Sequence, residues 1–236
     1  MIDASYNVHA ERSAGWAAFA YVLVVLVAGL LAGVPPGINA SPTDIAAWAA
    51  THQTALLVSA WLSFPGLAFF LWYVVGLRAH LIEAPGANEG LGTYFMIAGV
   101  LAAAFALLNA FFQAVLGYRG AELDAGAARL LYDAFALSGT LLFAPLSIYT
   151  LAVSYSASRH GSFPAFFSWM GYLAAALLAI ATLSLFFKDG PLRPNAGFSI
   201  GVLAFYGIWT VWTGIALVRT KAGASRENRS EVGARK

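Results

Sequence analysis

An asparagine, a glutamine and an aspartate stand at the edges of two long apolar runs in LLNAFFQAVLGYRGAELDAGAARLLYDAF, Leu107 to Phe135. Asn109 and Gln113 are four residues apart, so a helix sets both on one face. Gly99, Ala102 and Ala106 continue that face, and such small residues let a second helix approach closely. The face should therefore point at protein. An amide in hydrocarbon is costly unless it is hydrogen-bonded. Either Asn109 and Gln113 bond across to a neighbouring helix, or they line a ligand cavity.

Asp133 is the one carboxylate at the edge of an apolar run, and its helical face continues through Thr140, Ala144 and Ser147. A carboxylate within a membrane is a functional-site hypothesis by default. Arg129, four residues earlier, offers the plainer reading of a partly solvated ion pair of small weight. In a closed low-dielectric pocket the same carboxyl would stay protonated and serve as an acid. Aromatic faces at Phe112, Tyr132 and Phe135 would then stabilise a cation. That chemistry suits a membrane-embedded isomerase or terpenoid-type cyclase acting on an apolar substrate. Asp133 is thus the catalytic candidate. Asn109, Gln113, Arg129, Tyr132 and Thr140 are the ligand-binding candidates, and Arg119 should lie nearby.

The elements that must position these residues follow from composition. Hydrophobic residues make up 60% of the 236 positions and charged residues 10%, with a mean hydropathy of +0.73. A soluble domain carries about 25% charged residues. This chain cannot clothe a globular surface in polar groups, so its solvent is lipid. A helix needs about 20 apolar residues to cross the hydrocarbon core. Six segments qualify: 14–34, 54–77, 91–118, 130–155, 164–187 and 197–218. They predict an all-α, six-helix transmembrane domain over 14–218, between a short segment 1–13 and a disordered basic tail 219–236.

An even number of crossings puts both termini on one side. That side carries nine basic residues against four on the other, six of the nine in the tail from Arg219 to Lys236. Positive charge collects in the cytoplasm, so both termini are expected there, in the cell membrane. Without the tail the balance is three against four, so the tail decides the orientation. The tail's basic residues trail from an apolar segment and should meet anionic lipid rather than nucleic acid. Asp3 and Glu11 before the first apolar run, and the run's length, argue against a cleaved signal.

Finer marks follow. Ser41, Pro42 and Asp44 form a helix start outside the membrane, and Asp124 caps another before the fourth span. Trp16, Trp72 and Trp169 fall where an interfacial belt is expected, while Trp209 and Trp212 should pack. Pro65 and Pro145 lie inside spans and should kink them. The match of SFPGLAFF at Ser63 with SFPAFF at Ser162 falls at non-equivalent positions, so no inverted repeat is read from it.

Other chemistries find no footing. There are no cysteines, which excludes thiolate ligands and cysteine nucleophiles. No HExxH, nucleophile elbow, Walker loop or dinucleotide fingerprint occurs. His80 and His160 are the only same-side pair that axial ligation of a haem would use, and both stand at helix exits beside arginines. No cofactor is expected.

The polar stretch after span one that restarts as a helix, LLYDAF opening span four, and SRHGSFPAFFSWMGYL turning into span five carry a resemblance. Together they resemble the six-span bacterial integral membrane proteins grouped as a domain of unknown function, over about residues 14–218. The resemblance implies the fold and supplies no activity. With few charges deep in the spans, a proton-driven pump is disfavoured. The reading is a helix bundle that binds or moves a small lipophilic molecule, or an accessory subunit beside a membrane protein partner or a second copy.

Overall fold

The computed structural model describes residues 4–84, 86–161 and 163–219. The basic tail expected over 219–236 therefore lies outside the described residues beyond Arg219. Every regular element among the described residues is helical: α1 (Ala4–Ala32), α2 (Pro42–Thr51), α3 (Gln53–Ile82), α4 (Glu89–Arg119), α5 (Ala125–Leu141), α6 (Phe143–His160), α7 (Ala165–Thr182), a short 3-10 turn (Leu183–Phe186) and α8 (Gly197–Val218). Six stretches are long and apolar enough to cross a membrane, with α5 and α6 together making the fourth. The shortest has 22 residues, about 33 Å of helix at about 1.5 Å per residue, against about 30 Å of hydrocarbon. This is the build of a multi-pass membrane protein.

The surface repeats the point. Leu30, Val34 and Phe186 are each about four-fifths exposed or more, a pattern water would not tolerate over so wide an area. Trp16, Trp72 and Trp169 are exposed at one end, as an interfacial belt requires. Trp209 is buried as expected, but Trp212 is 41% exposed and faces outward in part.

Packing closes a ring. α1 lies between α3 and α8, α4 between α3 and α6, and α7 between α6 and α8. With lipid outside, close approach rather than hydrophobic burial drives such contacts. Gly15 of α1 shows how close: a Cβ there would meet the Gly214 carbonyl oxygen of α8 at 2.7 Å. Any other residue would push these helices apart.

Local chemistry sets the boundaries. The Ser41 hydroxyl accepts from the Asp44 amide at 3.1 Å, starting α2, and Asn88 caps α4 through the amides of Gly90 and Leu91. The fourth span breaks where its proline predicts. Pro145 cannot donate to the Leu141 carbonyl, and helix α5 ends at Leu141. Leu142 still keeps helical dihedrals, so the interruption is a single residue. Pro65 leaves α3 unbroken from Gln53 to Ile82. The first helix begins at Ala4, so residues 4–13 are helical and run on into the first span.

Two ends can be told apart. At the terminal end α1 begins and α8 finishes. At the other, called the α2 end, the connections 33–41, 120–124 and 187–196 gather around α2.

Candidate ligand cavity

The α2 end is a fastened roof. Asp124 opens α5 by accepting from the Ala127 amide at 2.8 Å. One turn later Arg129 donates from Nε to Asp133 Oδ2 at 3.0 Å and from Nη1 to the Ala40 carbonyl at 3.0 Å. Fully buried Tyr132 donates to the Pro36 carbonyl. Asn39 in turn donates to the Lys188 carbonyl at 3.0 Å and to the Asp189 carboxylate. These bonds tie the α1–α2 connection to α5 and to the loop before α8. Ile45 and Ala49 of α2 pack beneath, against Leu116, Ala128 and Tyr132.

Below the roof lies a cavity of about 380 Å³, within the range of small-molecule sites. Its walls come from α1, α3, α4, the α5–α6 break and α8. On α1 the wall is a single helical stripe, Tyr21, Val24, Val25, Ala28, Gly29 and Ala32. Small residues elsewhere, Gly66 of α3 and Ala102, Ala103 and Ala106 of α4, create the room. The bottom is aromatic, where Tyr21 and Phe70 meet with ring centroids 5.1 Å apart.

A few polar groups interrupt this apolar wall. Asn109 and Gln113 both line it from α4. The Asn109 amide donates to the Phe135 carbonyl at 2.7 Å and to Ser138 Oγ at 3.2 Å, so its donors are taken by α5. The bond across to another helix and the place in a cavity wall thus coexist in one residue. Gln113 is only 6% exposed. Trp48 reaches in from α2 and Asn195 from the loop before α8. The Trp48 indole nitrogen and the Asn195 amide nitrogen are both buried without a hydrogen bond of acceptable geometry. Asn195 holds its place with φ +59°, a left-handed conformation that asparagine tolerates better than most residues.

The remaining sequence candidates stand outside the lining. Thr140, 2% exposed, gives its hydroxyl to the Ala136 carbonyl, and Ser147 gives its hydroxyl to the Ala175 carbonyl. Arg129 and Asp133 pair with about a third of each side chain exposed. Asp133 Oδ1 is buried and unpartnered, yet the residue is not part of the cavity wall. Arg119 pairs with Glu122 at 2.5 Å on the surface. The expected cluster is therefore split. Asn109 and Gln113 face the cavity, while Arg129, Tyr132 and Asp133 fasten the roof above it.

The cavity has a side opening. Of its lining residues, Val25 and Gly29 on α1, Gly33 just past its end and Leu203 on α8 are exposed, and the others are buried or half-buried. α1 and α8 are locked at Gly15 and Gly214, toward the terminal end. Toward the α2 end their exposed lining residues face the surroundings. A Cβ on Gly29 would meet nothing within 4 Å.

Two polar features escaped the sequence. Beneath the cavity four tyrosines from four helices, Tyr21, Tyr73, Tyr149 and Tyr206, gather with Trp209. Tyr73 shares a 2.5 Å hydrogen bond with Thr213, and the Tyr149 and Tyr206 hydroxyls lack well-formed partners. At the terminal end Glu11 is 4% exposed and pairs with His80 at 3.2 Å. His80 is therefore a partnered group rather than a solvated helix exit. Neither feature has a motif; a tyrosine per span and a carboxylate ten residues before Tyr21 were the only signals.

Comparison with protein-family models, with curated proteins and with solved structures finds no match to this chain.

Proposed function

We propose that this multi-pass protein resides in the cell membrane and binds one small lipophilic molecule, taken sideways from the bilayer between α1 and α8. The observation that carries the reading is the cavity of about 380 Å³ whose exposed wall residues lie on those two helices and at the residue that follows α1. A solute from water would need a polar mouth. This mouth is Val25, Gly29, Gly33 and Leu203, which suits an occupant already dissolved in hydrocarbon. Both termini are assigned to the cytoplasm on the distribution of basic residues, which places the roof and α2 on the outer side. Asp133 as a catalytic acid draws no support from this arrangement, since its carboxylate pairs with Arg129 outside the cavity wall.

The test is occupancy. The protein purified in mild detergent should carry a lipophilic molecule, identified by mass spectrometry, in near-stoichiometric amount. Gly29→Phe adds a ring at the mouth, where a Cβ has open space, and should strip that molecule while leaving folding intact. A cavity empty in the wild type, or equal content in Gly29→Phe, would remove the proposal.

A further inference from the structure

Two neighbouring helices supply a polar strip to the cavity wall. Ser59 and Ser63 of α3 and Asn109 and Gln113 of α4 all line it. A Cβ on Gly117 would stand 3.0 Å from Leu56 Cβ, and one on Gly99 3.2 Å from the Val74 methyls. These two contacts fix the antiparallel register of α4 on α3. That register brings Ser59 level with Gln113, and Ser63 level with Asn109. Gln113 lies about 9 Å of helix inside Arg119, the last residue of α4, and Asn109 about 15 Å. Polar groups at that depth are costly without partners. No charged residue lines the cavity among the described residues.

The four side chains offer different things. Asn109 spends both N–H groups on α5, at the Phe135 carbonyl and Ser138 Oγ. It is left with Oδ1, which only accepts. Ser63 gives its hydrogen to the Ser59 carbonyl at 3.3 Å and likewise has only lone pairs to offer. The Gln113 amide and the Ser59 hydroxyl, on residues 6% and 4% exposed, are free of the protein's own hydrogen bonds among the described residues. Their polar atoms are not sealed off, in contrast to Trp48 Nε1 and Asn195 Nδ2. The cavity is where they open. One strip thus both gives and takes: Gln113 Nε2 donates, and Asn109 Oδ1 accepts.

Resting on the binding reading above, we infer that the occupant is an uncharged lipophilic alcohol whose hydroxyl donates to Asn109 Oδ1 and accepts from the Gln113 amide nitrogen. The two residues stand one turn apart on one helical face, close enough to share a single oxygen. A ketone, ester or ether only accepts and leaves Asn109 Oδ1 unmet. An ammonium only donates, and a carboxylate only accepts. Either would also bring a charge that no lining residue answers.

The experiment uses the full chain in nanodiscs of phosphatidylcholine, which brings no hydroxyl of its own. Three probes of one chain length are titrated: a long-chain primary alcohol, its methyl ether and the parent alkane. The added O–H bond predicts about fivefold tighter binding of the alcohol than of the ether. Gln113→Leu keeps the bulk of the side chain, removes the amide and breaks no protein hydrogen bond. In it the alcohol should bind about fivefold more weakly, the ether no better than the alkane, and the alkane as in wild type. Gln113→Met repeats the test with an unbranched apolar chain, should the leucine disturb folding. Equal binding of alcohol and ether in wild type, or alcohol affinity unchanged in both variants, overturns the inference and leaves the cavity's lipophilic role standing. If no probe distinguishes wild type from Gly29→Phe, the binding reading itself fails. Adding diacylglycerol to the discs separates two sources of the hydroxyl. Loss of probe alcohol binding there assigns the site to a neutral membrane lipid, and its persistence assigns it to a free alcohol.

Discussion

Trp48 on α2 meets Tyr132 on α5 edge-on, with ring centroids 5.9 Å apart and planes at 82°. This contact joins the roof to the cavity: Trp48 forms part of the wall below, and Tyr132 holds the α1–α2 connection above. Aromatic pairs in this geometry contribute about 0.5–1.5 kcal/mol beyond the area they bury.

Tyr132→Phe keeps the ring and deletes the hydroxyl that bonds Pro36. The Pro36 carbonyl then loses its partner, and the cost should be about 1–2 kcal/mol. A fall in melting temperature of about 2–8 °C in detergent is expected. An unchanged melting temperature would show that the roof is held without this bond.

Asp133→Asn should leave ligand content and affinity unchanged, because the carboxylate lies outside the cavity wall and its ion pair with Arg129 is partly solvated. Stability should fall by no more than about 1 kcal/mol. Arg129→Ala should cost more, since it also removes the bond to Ala40. Thermal unfolding and ligand mass spectrometry on the same samples check both statements. Loss of ligand in Asp133→Asn would return the carboxylate to the site.

Gly171→Ala should be among the most damaging single-methyl changes in the chain. The added Cβ would lie 1.9 Å from Ser154 Oγ and 2.8 Å from Trp209 Nε1, so both side chains would have to shift. Overpacking of this kind costs about 1–3 kcal/mol. Size-exclusion profiles should show loss of the monodisperse peak, whereas Gly29→Ala should behave as wild type.

The two acid–base pairs at opposite ends should differ in weight. Glu11–His80 is buried, with side-chain exposures of 6% and 18%, whereas Arg119–Glu122 is exposed at 55% and 66%. Glu11→Ala should lower the melting temperature measurably, and Glu122→Ala should not. Equal effects would mean that burial at the terminal end confers no special role on Glu11.

The absence of cysteine makes the orientation directly measurable. Glu89→Cys reports the terminal end and Ala121→Cys the α2 end, both at exposed positions. In intact cells a membrane-impermeant maleimide should label the second and spare the first. The reverse pattern would invert the assignment of the termini.

The spans were legible because length and apolar content suffice to define a crossing, and the Ser41 and Asp124 caps because their motifs are local. The break before Pro145 followed from its missing N–H. Of the site, Asn109 and Gln113 could be read, since their spacing and the small residues above them mark a protein-facing stripe. Trp48 and Asn195 could not. They reach the cavity from α2 and from the loop before α8, both far from α4 in the chain, and no periodicity links them to it. Arg129, Tyr132 and Asp133 stood out by type, yet their bonds to Pro36, Ala40 and each other depend on a loop whose path only the fold supplies. Glu11 read as one of a few charges before a span because nothing in the sequence pairs it with His80.

The most direct measurement is photolabelling of the membrane-embedded protein with a diazirine-bearing long-chain alcohol, with and without excess unlabelled alcohol. Label that competition removes should map to α1 around Val25–Ala32 and to α8 around Leu203. Label on lipid-facing residues such as Trp61 and Ile97 should persist. Competed label spread evenly over the outer surface, or none on α1 and α8, would contradict a lipophile bound within this bundle.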